Sequence, residues 1–368
     1  MAAKNIWHSL AQERGPYMRH IKRIFFVLLT LALLLSAIAY VSDFNFETFT
    51  FPQIWLNSAM NWTHYKVINR TLAVHTQKNL TKQQRCTTVA QTTNVPIYYH
   101  VAHPSNYHFI LDEPEKCKQN PFLVLMVPVA PHQVDARNAI RSTWGNESSV
   151  QGKAVLTLFL VGLTGGPEAQ QQLEEESRQH RDLVQSNFVD SYFNLTIKTM
   201  VILDWLATRC PQAQYSMKVD SDMYLNLENL MNLLLAPNTS KENYITGMVM
   251  WDRPVIRDKG SKWYVSEELY PEPKYPTYLL GMGYVFSNDL SKKLVEASKN
   301  VKPFNIEDAY VGACLKQLGI EPSSPPDPSK FKAYLGQYIR EDFFRVITTI
   351  LGSPQQLIDI WKDVKRPT

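Results

Sequence analysis

The chain has 368 residues, of which 45% are hydrophobic and 20% are charged, as in a folded protein with a large core. Its formal net charge is +4, and residues 1–23 account for it because they hold five basic residues and one acidic residue. The rest of the chain is therefore neutral, which argues against nucleic-acid binding, since that needs a basic surface.

Residues 24–41, IFFVLLTLALLLSAIAYV, contain no charged side chain. At about 1.5 Å per residue, a helix of this length spans the apolar layer of a bilayer. The basic flank at 1–23 predicts a cytoplasmic tail, and the acidic flank beyond Val41 predicts a lumenal or extracellular body. Because no small-x-small cleavage site follows the run directly, we predict an uncleaved signal anchor rather than a cleaved signal peptide.

Sequons and cysteines agree with an oxidising compartment outside the cytosol. The N-glycosylation sequons lie at Asn61, Asn69, Asn79, Asn146, Asn194 and Asn238. The four cysteines are Cys86, Cys117, Cys210 and Cys314. Four cysteines allow three pairings, and none of them has the CxxC spacing of a zinc site.

Residues 42–115 read as an irregular, sequon-bearing stem, and residues 116–368 read as one catalytic domain. Buried strands are predicted at 122–130, 154–162, 215–219 and 243–250. Helices are predicted at 134–145, 168–182, 196–210 and 227–236. This alternation predicts an α/β fold with a mostly parallel central sheet and helices on both faces. Ligands of such sheets lie beyond the carboxyl ends of the strands.

The segment KVDSDMYLN places Asp220 and Asp222 directly after one predicted strand. Because side chains alternate along a strand, Lys218, Asp220 and Asp222 project to one side. Two neighbouring carboxylates suit Mg²⁺ or Mn²⁺, which prefer oxygen ligands and bridge to a diphosphate. A turn or a solvated strand edge is the alternative, because a DxD triplet often arises by chance.

The segment FNIEDAYVG places Glu307 and Asp308 in the first turn of a predicted helix. The helix dipole favours acidic residues there, so a structural pair is one interpretation. The other interpretation is a general base in a pocket.

The nearby segment YPTYLLGMGYVFS offers such a pocket. Gly281 and Gly283 would let the backbone approach a ligand closely. Tyr275, Tyr278 and Tyr284 would stack on sugar rings. A glycine-bearing aromatic core strand is the alternative.

The segment ARNAIRSTWGNES places Arg137 and Arg141 on one helix face, and Trp144 follows on much the same side. A guanidinium there would bind a diphosphate or a carboxylate, although a salt-bridged surface explains the pattern equally well. All nine histidines lie at or before His180. A hydrolase triad would have to use His132 or His180, but the chain has no G-x-S-x-G elbow.

Six segments, taken in order, resemble one known family. They are RNAIRSTWGNES, DSYFNLTIKT, KVDSDMYLN, SKWYVSEELYPEPKYPTY, GMGYVFS and EDAYVG. Over residues 115–320 the chain resembles the family 31 glycosyltransferases, and among them the vertebrate beta-1,3-galactosyltransferases. The resemblance implies a GT-A fold behind a type II membrane anchor in the Golgi apparatus. It also implies UDP-galactose as donor and a glycan acceptor, and it leaves a homodimer open.

The resemblance also implies roles for the residues singled out above. Asp220 and Asp222 would bind Mn²⁺ and with it the UDP diphosphate, and Asp308 would be the catalytic base. The implied donor-site residues are Arg137, Arg141, Trp144, Lys218, Gly281 and Gly283. The implied substrate-binding residues are Tyr275, Tyr278 and Glu307. For the cysteines we predict the pairs Cys86–Cys117 and Cys210–Cys314.

The chain departs from the family pattern in two places. Leu279, Leu280 and Met282 stand where relatives often carry Cys, Ser and Thr, and the C-terminal segment lacks the Cys and His that relatives tend to carry. Any metal would then be left with carboxylate, phosphate and water ligands. Three alternatives remain: an N-acetylglucosaminyltransferase of the same fold, an inactive lectin-like Golgi protein, and a glycosidase, which also uses paired carboxylates.

Overall fold

The computed structural model describes residues 103–366. The predicted cytoplasmic tail, the predicted anchor at 24–41, Cys86 and the sequons at Asn61, Asn69 and Asn79 lie outside the described residues. Within residues 103–366, no helix is both long enough and apolar enough to cross a bilayer.

Ten strands and eight α-helices make up the described part of the chain. The strands are β1 Phe109–Leu111, β2 Leu123–Pro128, β3 Ser149–Val150, β4 Lys153–Leu163, β5 Leu183–Val189, β6 Tyr215–Val219, β7 Met223–Leu225, β8 Ile245–Met250, β9 Tyr278–Ser287 and β10 Thr348–Ile350. The helices are α1 Val134–Arg141, α2 Pro167–His180, α3 Leu195–Arg209, α4 Leu227–Leu234, α5 Asp289–Ala297, α6 Glu307–Gln317, α7 Arg340–Arg345 and α8 Pro354–Val364. Each strand and helix predicted from the sequence has a counterpart among them.

The main sheet has the strand order β1-β5-β4-β2-β6-β9-β8, and β3 pairs with β4. Strands β5, β4, β2 and β6 run parallel, whereas β1 at one edge and β9 and β8 at the other pair antiparallel. The sheet is therefore mixed, and the prediction of a mostly parallel sheet holds only for its centre. The reason lies after β8, where residues 251–277 form no α-helical crossover, so β9 returns antiparallel to its neighbour.

Both faces of the sheet are covered, as the all-apolar strand β2 requires. Val124 and Met126 belong to the core beneath α3, α5 and α6, while Leu123, Leu125 and Val127 belong to the core beneath α1, α4 and α8. Successive residues of this strand thus pack into the two cores on opposite faces of the sheet.

The sheet also reaches into the predicted stem. Strand β1 pairs with β5, and Asp112 accepts hydrogen bonds from Trp205 Nε1 at 2.7 Å and from Arg209 Nε at 2.8 Å. The folded unit therefore begins before the predicted boundary at residue 116.

A disulfide joins Cys117 to Cys210, with the Cα atoms 5.2 Å apart. It ties the segment before β2 to the C-terminal end of α3. Cys314 is unpaired and lies buried on α6. The predicted pairs Cys86–Cys117 and Cys210–Cys314 are therefore wrong, because Cys314 packs into the core instead of facing Cys210.

Candidate active site

Strand β6 delivers the first acidic group to the carboxyl edge of the sheet. Lys218 is its penultimate residue, and Asp220 follows the strand, where its backbone N–H donates to the Met282 carbonyl of β9 at 2.9 Å. Neighbouring β9 therefore continues the sheet pairing up to the first aspartate. The Asp220 side chain keeps 39% of its surface exposed.

The Lys218 ammonium links the two acidic segments of the site. Its Nζ lies 2.7 Å from Asp220 Oδ1 and 3.4 Å from Glu307 Oε2, and it donates to the Gly281 carbonyl. Burial alone would lower the pKa of Lys218, but the carboxylates of Asp220 and Glu307 outweigh burial and raise it. Lys218 is therefore a permanent cation at the junction of β6, β9 and α6.

Helix α6 begins with the acidic pair Glu307 and Asp308. Tyr284 of β9 donates its hydroxyl to Glu307 Oε1 at 2.8 Å. Asp308 accepts from the backbone N–H of Gly281 at 3.0 Å and of Ala309 at 2.8 Å, so both its oxygens are oriented. Glu307 is buried, and Lys218 and Tyr284 contact its two oxygens, so the structure shows it holding the site together, while its predicted contact with substrate stays a prediction.

The environment raises the pKa of two carboxyl groups here. Burial is the main cause that raises the pKa of Asp308 to about 6, and the negative charge of Glu307 adds to it. The hydrogen bonds from the backbone N–H groups of Gly281 and Ala309 lower this pKa but do not cancel the rise. Desolvation by the surrounding protein raises the pKa of Asp220 to about 7, although Lys218 opposes the rise. A carboxylate with a pKa near 6 is suited to accept a proton at neutral pH.

The C-terminal segment around β10 packs against the loop that carries Asp222 and holds its backbone in place. The Asp222 carbonyl accepts from the N–H of Leu351 at 2.8 Å, and β7 pairs antiparallel with β10. Trp144 is fully buried, and its Nε1 donates to the Met223 carbonyl at 3.0 Å. Trp144 thus holds the backbone beside Asp222 in place. This role is indirect, whereas the sequence predicts that Trp144 contacts the donor.

Arg137 and Arg141 are engaged in ion pairs with helix α2 and the residue before β5. Arg137 is fully buried, with its Nε and Nη2 2.7 and 2.6 Å from Glu176, and it also donates to the carbonyl of Ala130. Arg141 contacts Asp182 through two bonds of 2.7 Å. These contacts brace the segment after β2, and they differ from the predicted role of binding a diphosphate.

Gly281 and Gly283, both predicted to let β9 approach a ligand closely, have different surroundings. A Cβ built on Gly281 would lie 3.0 Å from Glu307 Oε2 and 3.4 Å from Asp308 Oδ2. A Cβ on Gly283 would meet Met217 Cε at 3.2 Å. Gly281 therefore allows β9 to approach the acidic pair closely, whereas Gly283 packs against a core methionine.

Tyr275 and Tyr278 are only 7% and 8% exposed. Tyr275 stacks on Phe304, with ring centroids 5.7 Å apart, and Tyr278 meets Tyr275 edge to face. Packing in the core therefore accounts for both rings, and their predicted contact with a sugar stays a prediction.

The sequence analysis did not single out Tyr192, Lys262 and Trp263. Lys262 Nζ lies 5.6 Å from the ring centroid of Tyr192 and 4.7 Å from that of Trp263. Both aromatic residues belong to the quoted segments DSYFNLTIKT and SKWYVSEELYPEPKYPTY. Nothing in their spacing shows that they meet, because the contact joins distant parts of the chain.

The three described sequons are not equivalent. Asn146 and Asn238 are exposed. Asn194 is 5% exposed, and its Nδ2 donates to the Val189 carbonyl at 2.8 Å. The folded domain therefore buries the Asn194 side chain, whereas Asn146 and Asn238 are open to solvent, and glycosylation of all three stays a prediction.

A divalent cation would find two carboxylates at this edge of the sheet, those of Asp220 and Asp222. Within residues 103–366, no group of three or more His, Cys, Asp or Glu side chains could hold a metal ion. The donor set nevertheless fits Mg²⁺ or Mn²⁺, because such ions are often held by one or two carboxylates, with substrate phosphates and water completing the shell.

Comparison with known proteins decides the family. A model of the galactosyltransferase family matches residues 135–326, which include Lys218, Asp220, Asp222, Glu307 and Asp308. The chain belongs to the galactosyltransferase family. It is 42% identical to human beta-1,3-galactosyltransferase 2 over 270 residues, which is 72% of this chain and 64% of that protein. The match thus spans less than two thirds of this relative's length.

A second relative is matched over more of its length. Mouse beta-1,3-galactosyltransferase 1 is 41% identical over 263 residues, which is 71% of this chain and 79% of that protein. Similarity to solved structures is low. The WbbM bifunctional glycosyltransferase aligns with a TM-score of 0.38 and 10% identity, over 67% of this chain and 50% of that chain.

Proposed function

We propose that this galactosyltransferase-family member transfers galactose from UDP-galactose, in β-1,3 linkage, to GlcNAc- or GalNAc-terminated glycans of glycoproteins or glycolipids. The observation that carries the proposal is the Lys218 bridge, which brings the aspartates after β6 and the acidic pair of α6 into one site. The names of the relatives, beta-1,3-galactosyltransferases 1 and 2, support the choice of sugar and linkage.

Transfer in this site would be a single displacement with inversion. The acceptor's 3-hydroxyl oxygen attacks the anomeric carbon of α-linked galactose as the bond to UDP breaks, and Asp308 takes the hydroxyl proton. Both oxygens of Asp308 accept backbone hydrogen bonds, so the carboxylate is held in one orientation for this transfer. Inversion of an α-linked donor yields a β-linked product.

The departing diphosphate would leave towards Asp220, Asp222 and Lys218. Mn²⁺ or another divalent cation held by the two aspartates would neutralise the charge that develops on UDP. Lys218 holds Asp220 in place and adds a fixed positive charge beside it. The acidic pair would then act on the acceptor, and Asp220 and Asp222 would bind the donor.

The setting of the enzyme completes the proposal. Residues 1–23 would face the cytoplasm, 24–41 would anchor the chain in the Golgi membrane as a type II protein, and the residues up to β1 would form a lumenal stem. The catalytic domain would adopt a GT-A fold. The Cys117–Cys210 disulfide supports an oxidising compartment.

A donor panel tests the proposal. The full-length chain is incubated with UDP-galactose, UDP-N-acetylglucosamine or UDP-glucose and with GlcNAc-, GalNAc- or Gal-terminated acceptors, with and without EDTA, beside an Asp308→Asn control. We expect galactose transfer from UDP-galactose alone, loss of transfer in EDTA and recovery with Mn²⁺. Transfer of N-acetylglucosamine instead would replace the donor assignment, and absence of any transfer would reject the enzyme proposal. Undiminished transfer in EDTA would reject the metal.

A further inference from the structure

Two exposed aromatic side chains and a lysine form a cluster that we call the aromatic rim, consisting of Tyr192, Lys262 and Trp263. The Lys262 ammonium lies within 6 Å of both ring centroids, at 5.6 Å and 4.7 Å. Tyr192 nevertheless stays 43% exposed and Trp263 47% exposed. The rim therefore presents ordered aromatic surface to solvent, unlike the buried rings of Tyr275 and Tyr278.

Hydrogen bonds tie both segments of the rim to the residues that lead into helix α6. On the Tyr192 side, Thr196 Oγ1 donates to the Phe304 carbonyl at 2.7 Å. On the Trp263 side, Asn305 Nδ2 donates to the Tyr264 carbonyl at 3.1 Å. Phe304 and Asn305 lie one residue before the acidic pair, separated from Glu307 only by Ile306, so both segments of the rim are anchored at the start of α6.

The charges agree with this placement. Although 43% of Tyr192 is exposed, the surrounding protein partly desolvates its hydroxyl, and this effect first and the charges of Asp308 and Asp220 next raise its pKa to about 12. This agrees with the hydrogen bonds through Phe304 and Asn305, which place the rim on the side of the site that holds the acidic pair.

The chemistry of the rim selects one class of ligand. A pyranose ring has a C–H face that packs on an aromatic ring, and hydroxyls that reach polar groups at the edge of the site. The diphosphate is assigned to Asp220, Asp222 and Lys218, whereas the rim is anchored at the start of α6, which carries the proposed base Asp308. The acceptor is the substrate that gives its proton to Asp308, so we assign the rim to the acceptor sugar rather than to the galactose of the donor.

We propose that Tyr192 and Trp263 form the platform on which the terminal sugar ring of the acceptor glycan packs, with its attacking hydroxyl towards Asp308. This inference rests on the proposed transferase function and names the acceptor subsite of the same site. Trp263 supplies the larger ring surface, and Lys262 holds the two rings together from distant parts of the chain.

Acceptor kinetics of four full-length variants test the platform. Trp263→Ala and Tyr192→Ala remove one ring each, whereas Trp263→Phe and Tyr192→Phe keep a ring. We expect each alanine variant to raise the acceptor KM by about tenfold, and each phenylalanine variant to stay within about threefold of wild type. The KM for UDP-galactose and the slow hydrolysis of UDP-galactose without acceptor should be unchanged in all four.

Phe344→Ala is the matched control, because Phe344 is 45% exposed and Arg340 lies 5.3 Å from its ring centroid, yet it belongs to α7. We expect it to leave the acceptor KM unchanged. If Tyr192→Ala fails to fold, Tyr192→Leu in the Trp263→Phe chain removes the tyrosine ring instead. Comparison of this double variant with Trp263→Phe alone then gives the effect of losing that ring.

The outcomes separate this inference from the proposed function. Wild-type acceptor KM in both alanine variants would overturn the platform while leaving the transferase intact. A parallel rise in donor KM would also overturn it, because the rings would then serve the donor. Absence of transfer and of donor hydrolysis in the wild-type chain would reject the proposed function itself.

Discussion

Lys218 and Glu307 form a buried ion pair, with Nζ 3.4 Å from Oε2, although 88 residues separate them in the chain. Their side chains are 6% and 8% exposed. The pair joins the end of strand β6 to the start of helix α6, and through Asp220 it extends to the loop that carries Asp222. The pair therefore links the position of the aspartates after β6 to that of the acidic pair, together with the hydrogen bonds that both make to β9.

Lys218→Met should destabilise the domain strongly. Removing the ammonium leaves Glu307 buried without its cation, and loss of one partner of a buried pair costs about 3–5 kcal/mol. Equilibrium urea unfolding of the full-length chain measures the free energy of unfolding. The control is Lys274→Met, whose ion pair with Asp252 is exposed (54% and 73%) and should contribute less than about 1 kcal/mol. Equal losses in the two variants would contradict the structural role of Lys218.

Asp308→Asn should keep UDP binding and lose transfer. An asparagine can still accept the Gly281 N–H but cannot take the acceptor proton, and general base catalysis contributes about 10²–10⁴-fold. Calorimetry measures UDP affinity, and a radiolabelled donor measures turnover. Asp252→Asn, on the surface, controls for the loss of one negative charge. Turnover within a factor of about two of wild type would remove Asp308 from the mechanism.

The pH dependence of transfer should follow the ionisation of Asp308, whose pKa depends on its neighbour Glu307. The pKa of Asp308 is raised to about 6, so the basic form is lost as the pH falls through 6, and kcat/KM should fall with it. Because the charge of Glu307 contributes to this rise, Glu307→Gln should move the acidic limb to lower pH. Glu115→Gln, which alters a 71% exposed side chain, should leave the limb in place. A limb that moves to higher pH in Glu307→Gln would contradict the assignment.

The disulfide gives a prediction that separates the observed pairing from the pairing expected from the sequence. Peptide mapping without reduction should recover a fragment that joins Cys117 to Cys210. Cys210→Ser should lower the free energy of unfolding by about 2–5 kcal/mol, because the unfolded chain loses a long closed loop. Cys86→Ser should leave the mapped fragment unchanged. Recovery of a Cys210–Cys314 fragment would contradict the structure.

The fold was more predictable than the arrangement of the site. Apolar runs such as β2 predict buried strands because burial on both faces leaves no polar residue to interrupt them. The alternation of strands and helices up to residue 250 predicts a mostly parallel sheet, but residues 251–277 form no helix, so β9 returns antiparallel. The exposure of an aromatic ring is a tertiary property: Tyr275 lies buried against Phe304, and Trp263 lies exposed, within the same quoted segment.

The resemblance to a family named Asp220, Asp222 and Asp308, but it could not show what holds them in place. The Lys218 bridge depends on β9 lying between β6 and α6, and sequence spacing contains no such information. The arginines show the same limit. The spacing of Arg137 and Arg141 leaves a diphosphate site and a salt-bridged face equally open, and the structure shows ion pairs with Glu176 and Asp182, partners that lie too far along the chain to be recognised from the sequence.

Two glycine variants test whether β9 has to approach the acidic pair this closely. In Gly281→Ala the new methyl group would lie 3.0 Å from Glu307 Oε2 and 3.4 Å from Asp308 Oδ2. Glu307 cannot move away freely, because Lys218 and Tyr284 hold its two oxygens. The acidic pair should therefore shift, and since small misplacements of a catalytic group are costly, kcat should fall by about tenfold or more.

Gly283→Ala is the matched control two residues further along the same strand. Its methyl group would meet Met217 Cε at 3.2 Å, and a methionine side chain is flexible enough to move aside. We expect its kcat to stay within about twofold of wild type, and both variants to have similar melting temperatures. Equal losses of kcat in the two variants would mean that the strand, rather than its contact with Glu307 and Asp308, sets the activity.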